Sequence, residues 1–74
     1  MKMTSTSFRH ANLLLAIKEA GSLVALSDRV GFSPQYLSQL KSGTRGIGHK
    51  TARELERKLG YPNGSFDLPP KGDE

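Results

Sequence analysis

The sequence contains no cysteine, which excludes disulfides and thiolate metal sites together. Histidine is scarce: His10 and His49 alone cannot complete a zinc site, and both are expected at the surface. The longest apolar run, Leu13 to Ile17, is far too short to span a membrane. Met1 to Met3 lead straight into polar Thr4 to Ser7, with no apolar signal segment, so a cytoplasmic protein is expected. No stretch alternates apolar and polar with period two over a useful length, so strands have no support. With 74 residues there is room for one core only. A chain of this size buries roughly 60% of its unfolded surface, so it must stand on apolar packing, and dimerisation would add to a marginal stability.

What is present begins with charge. Eleven Lys and Arg face seven Asp and Glu, for a net charge of +4. Between Phe8 and Gly60 there are nine basic residues and four acids, a surplus of five, whereas the stretch from Tyr61 carries three acids and one lysine. Positive charge therefore concentrates on the part expected to fold, as an electrostatic footprint for phosphate requires.

Helical spacing runs through that part. A first helix is expected from near Ser7 to Ala20, with Leu13, Ala16, Ile17 and Ala20 inward and Gly21 as its stop. Leu14 and Leu15 widen its apolar surface, available to Phe8 or to a partner. Ser22 caps a second helix through Val30, with Leu23, Leu26 and Val30 at i, i+3 and i+7. Gly31 ends it, Phe32 plugs the turn, and Ser33-Pro34 opens a third helix that stops at Ser42-Gly43. The loop from Gly43 to Gly48 leads into a fourth helix, His49 to Leu59, with Ala52, Leu55 and Leu59 buried and Gly60 closing it. Glu54 and Lys58 form an expected i, i+4 surface pair, and Arg53 and Arg57 read as a solvated face. Tyr61, Phe66 and Leu68 are expected to return over the core. The fold class is all-α, four to five short helices. Residues 1–7 read as a flexible arm, 8–68 as the domain, and 69–74 as a disordered tail or the start of a linker.

The third helix divides into two faces. At about 100° per residue, with Gln35 at zero, Gln39 falls near 40°, Ser42 near −20° and Ser38 near −60°. Leu40 and Leu37 fall near 140° and 200°, on the far side. A helix that enters a DNA groove needs this division, locking its leucines to the body while presenting short polar groups outward. A glutamine amide carries a donor and an acceptor that match adenine N6 and N7 in the major groove. Tyr36, near 100°, stands at the margin, placed to meet phosphate, a thymine methyl or the protein's own surface.

Residues 12–68 resemble the helix-turn-helix domain of phage repressors and Cro proteins, the lambda-repressor-like family. The resemblance rests on Ser27-x-x-x-Gly31, on Ser33 before the third helix, on Leu37 and Leu40 behind it, and on Ser42-Gly43 after it. The stretches NLLLAIKEAGS and GFSPQYLSQLKSGTRGIGHKTARELERKLGYP are similar to the N-terminal DNA-binding domains of two-domain phage-type repressors. The resemblance implies base contacts from Gln35 and Gln39, with Ser38 on the same face and an apolar contact from the Pro34 ring. It implies phosphate contacts from Thr44, Arg45 and Lys50, the last beside free N–H groups at a helix N-terminus. Ser33 and Ser42, which bracket the helix, and Tyr36 are assigned to phosphate as well. Two positions depart from the family. Its usual glutamine at the start of the second helix is Leu23, which leaves Ser22 as the replacement phosphate contact. Its usual alanine is Ser27, whose hydroxyl is expected to bond a carbonyl of the preceding turn.

Two other constellations are weaker. GTRGIGHKT has one residue too many for a phosphate-binding P-loop and follows a helix, not a strand. Ser27, Asp28 and either histidine supply the residue types of a hydrolase triad, but a small helical domain offers neither pocket nor oxyanion hole. The chain is therefore not expected to be an enzyme, nor to take a cofactor, a metal or a small-molecule substrate. The expected function is sequence-specific binding of a pseudo-palindromic duplex operator as a homodimer, repressing transcription by occluding a promoter. Two alternatives stay open: an antitoxin-like regulator that also binds a toxin, and a protein-interaction module without DNA affinity. The segment LPPKGDE suits both a Cro-like chain and a repressor headpiece ending in a linker.

Overall fold

The computed structural model describes residues 5–69, whose regular elements are all helices, without a strand. Helices α1 (Ser5–Ala20), α2 (Leu23–Val30), α3 (Pro34–Ser42) and α4 (His49–Leu59) are followed by a short 3-10 helix (Ser65–Asp67). The bounds of α2, α3 and α4 match those expected from their caps. Helix α1 opens two residues earlier than expected, at Ser5, so 5–7 are helical and not an arm. The first turn of a helix tolerates Ser and Thr well enough for the helix to extend through them. The rest of the expected arm, 1–4, and of the expected tail, 70–74, lies outside the described residues.

The core gathers one or two side chains from every element: Leu13 and Ala16, Leu26 and Val30, Leu37 and Leu40, Ala52 and Leu55, and Phe66. Burying a leucine stabilises by about 1.5–3 kcal/mol, so the two leucines of α3 are a firm attachment. Ile17, Ala20, Leu23, Phe32, Leu59 and Tyr61 pack around the rim, partly buried. Ile47, in the loop between α3 and α4, is buried and pins that connection to the core. Leu68 was expected to cover the core, but its side chain is 61% exposed. Its backbone does the anchoring, because the Asn12 side-chain amide donates to the Leu68 carbonyl at 2.8 Å.

Polar side chains close the domain where sequence periodicity is silent. Glu56 is buried and accepts from the Gly64 and Phe66 N–H groups, both at 2.8 Å, and from Arg53 at 2.9 Å. Arg53 is therefore not part of a solvated face: it bridges Glu56 and Asp67. The expected Glu54–Lys58 pair is replaced by Glu54–Arg57, in which the guanidinium fork reaches both carboxylate oxygens from one turn away. His10 is half-buried, and its Nε2 donates to the Lys41 carbonyl at 2.7 Å, tying α1 to the end of α3. A carbonyl only accepts, so Nε2 carries the proton. Among the described residues, no helix is long and apolar enough to cross a membrane.

Candidate nucleic-acid interface

Helices α2 and α3 meet at a three-residue turn that is fixed by its ends. Ser22 Oγ accepts from the Ala25 N–H and Ser33 Oγ from the Tyr36 N–H, each at 3.1 Å, so both helices start on a side-chain cap. Gly31 takes the left-handed conformation, φ 77°, which a side chain would strain. Ser27 is buried where α2 faces the turn, and its hydroxyl donates to the Phe32 carbonyl, which follows it in the chain. The bond expected toward the preceding turn is thus made toward the following one. A serine serves here because the carbonyl at the turn has no helical donor of its own.

This frame sets α3 with one face in and one face out. Leu37 and Leu40 are 0% exposed, while Pro34, Gln35, Ser38, Gln39 and Ser42 are all exposed. Among the described residues, no hydrogen bond engages the Gln35 side chain. Gly43, at φ 85°, turns the chain off the helix, and Ser42 Oγ donates to the Gln39 carbonyl and meets Thr44 Oγ1 at 2.9 Å. Thr44 and Arg45 are thereby held at the C-terminal end of the same helix, both exposed.

Tyr36 sits between this face and α4. Its ring stands edge-on to Phe32, 5.4 Å between centroids, and its hydroxyl meets Thr51 Oγ1 at 3.0 Å. The hydroxyl expected to reach phosphate is engaged within the protein, and the ring instead carries Arg45, whose guanidinium lies 5.5 Å above it. Arg45 also donates through Nε to Gln39 Oε1 at 3.2 Å. Lys50 is exposed in the first turn of α4, where no side chain caps the free N–H groups. Ser22 and Ser33 are exposed and occupied as caps, and each retains its O–H as a donor.

The structure thus brings Gln35, Ser38, Gln39, Ser42, Thr44 and Arg45 together on one side of α3. The link of Arg45 to Tyr36 and Gln39 has no signature in the sequence, because it depends on how the turn after Gly43 folds back. Among the described residues, no group of three or more His, Asp or Glu side chains is placed to hold a metal.

No family model matches the sequence, and no curated protein matches it. Among solved structures, the fold is similar to a chain in the crystal structure of a Rep-Ant complex from a Salmonella-temperate phage. The TM-score is 0.81 at 23% sequence identity, over 92% of this chain. The two share a fold. The match covers 41% of that chain, so this chain spans less than half its length.

Proposed function

We propose that this domain binds duplex DNA sequence-specifically and regulates transcription in the manner of phage and prophage repressors, with α3 in the major groove. The observation that carries the reading is the division of α3: two leucines with no exposure hold it, and two glutamine side chains stand outward beside it. Gln35 and Gln39 read base edges, helped by Ser38 and by apolar contact from Pro34. Thr44, Arg45 and Lys50 contact phosphate, with Ser22 and Ser33 donating through the hydroxyl protons that their caps leave free, while the Ser42 proton is taken by the Gln39 carbonyl. The surplus of basic residues between Phe8 and Gly60 supports this electrostatically. The lambda-repressor-like arrangement, with two copies of α3 about 34 Å apart in successive major grooves, requires a dimer on a pseudo-palindromic operator. Repression is steric, by occlusion of a promoter in the cytoplasm of the host. That a chain of the same fold comes from a phage supports the phage assignment.

A second reading, a protein-interaction or antitoxin-like module, is favoured by an open apolar groove between α1 and the C-terminal segment, lined by Leu15, Tyr61, Pro62 and Leu68. The similar fold belongs to a complex of two named components, which fits that reading too. Selection of bound sequences from a randomised duplex pool separates the two. A DNA reader enriches two related half-sites and binds them at least about 1000-fold tighter than random duplex. A pool that emerges without any enriched sequence overturns the proposal.

A further inference from the structure

We infer that Arg45 is a specificity-determining positioning residue: it holds the Gln39 amide in one orientation, so that base preference at the Gln39 contact depends on Arg45. The inference rests on the reading that α3 enters the major groove, and it assigns Arg45 more than a share of phosphate binding.

Three contacts converge on Arg45. Its backbone N–H donates to the Gln39 carbonyl at 3.2 Å, which fixes where the side chain starts. Its Nε donates to Gln39 Oε1 at 3.2 Å. Its guanidinium lies over the Tyr36 ring at 5.5 Å, and that ring is itself braced by Phe32 and Thr51. The arginine therefore stands on a platform belonging to two other elements, although it is exposed.

The chemistry of the contact determines its consequence. A guanidinium has donors only, and the oxygen is the sole acceptor of a glutamine amide. The bond therefore fixes which end of the amide faces Arg45 and which way the NH2 group points. An unrestrained glutamine offers both orientations to a base pair and loses that freedom on binding; a held one presents a single order of donor and remaining acceptor. Because the bond uses Nε, the terminal nitrogens of Arg45 stay available for a phosphate. Lysine at this position keeps the charge but has neither the planar fork nor a nitrogen at the same place along the chain.

The test is Arg45→Lys, compared with wild type and Gln39→Ala on the selected operator and on a panel of duplexes with single base-pair changes. The base pair that Gln39 reads is the one whose preference collapses in Gln39→Ala. Wild type should favour the preferred pair there by about 5- to 150-fold. Arg45→Lys should lose most of that preference at this pair alone, while keeping the preference at the Gln35 pair and the wild-type dependence on salt. Adding Gln39→Ala to Arg45→Lys should then cost little more, since the two act on one contact. Tyr36→Leu, which removes the platform, should reproduce the effect. Wild-type preference at every pair in Arg45→Lys overturns the inference while leaving DNA reading intact. A wild type that prefers no sequence at all overturns both.

Discussion

The buried Glu56 carboxylate accepts the backbone N–H of Phe66 at 2.8 Å, ten residues further along the chain. With the Gly64 N–H and Arg53 on its other sites, it closes the C-terminal turn against α4 and sets Phe66 into the core. Removing it leaves two inward-facing N–H groups without an acceptor and the Arg53 guanidinium with Asp67 alone. Glu56→Ala should destabilise the domain by about 2–4 kcal/mol. At this chain length that lowers the melting temperature by at least about 8 °C. Glu56→Gln should fall between, because an amide has one acceptor atom where the carboxylate uses two. A thermal melt followed by circular dichroism decides it, and an alanine variant melting with the wild type would refute the clamp.

The same end of the molecule is held by Arg9, which donates to Asp67 through Nε at 2.6 Å and through a terminal nitrogen at 3.4 Å. The Arg9 hydrogen bond, aided by the nearby charges of Arg9 and Arg53 and opposed by partial desolvation, holds the Asp67 carboxyl below the ordinary aspartate range. A carboxyl whose pKa is lower in the folded chain stabilises it above the unfolded value of about 3.9. That contribution is lost as the pH falls through the lower folded value. Asp67→Asn should therefore be less stable than wild type at pH 7 by about 1 kcal/mol, as for a partly exposed pair. The gap should narrow as the pH drops below about 4. Urea titrations at several pH values test this; a gap that stays constant into strong acid contradicts the assignment.

What could be read from the sequence, and what could not, follows the range of the interactions. Helices α2, α3 and α4 are bounded by local chemistry: Ser22 and Ser33 cap within three residues, Pro34 sets a first helical position, and Gly31, Gly43 and Gly60 turn the chain left-handed. The two faces of α3 follow from the helical repeat alone. Thr4 to Ser7 are all cap-type residues, so the sequence does not single out where α1 starts, and the structure opens it at Ser5. Ile47 stands alone between glycines, where periodicity has nothing to count. Glu56 sits in the charged run Arg53 to Lys58, and its burial is decided by Gly64 and Phe66, which no helical pattern connects to it. The contact of Arg45 with Gln39 spans a turn and was equally invisible.

Lys50 is exposed in the first turn of α4, where unpaired N–H groups already favour an anion. A lysine there neutralises a phosphate and reads no base. Lys50→Ala should weaken operator and random duplex by the same factor, and should reduce the slope of log K against log salt by about 1. Fluorescence anisotropy titrations at four or five salt concentrations supply both numbers. A loss confined to the operator would move Lys50 from the backbone to the bases.

Gln35 makes the opposite prediction, and its position explains why. It lies in the first turn of α3, exposed, with the helix behind it fixed by Leu37 and Leu40 and no side-chain partner among the described residues to compete for its amide. Gln35→Ala removes no buried contact, so the melting temperature should stay within about 2 °C of wild type. On DNA, the amide's donor and acceptor both disappear from one base pair. Preference there should drop by about 1–3 kcal/mol, the salt dependence should be unchanged, and binding to random duplex should be nearly so. Comparing affinities on a panel of single base-pair changes isolates the position. If the variant loses equally on operator and random DNA, the Gln35 side chain is contributing to non-specific attachment, and α3 does not read sequence through it.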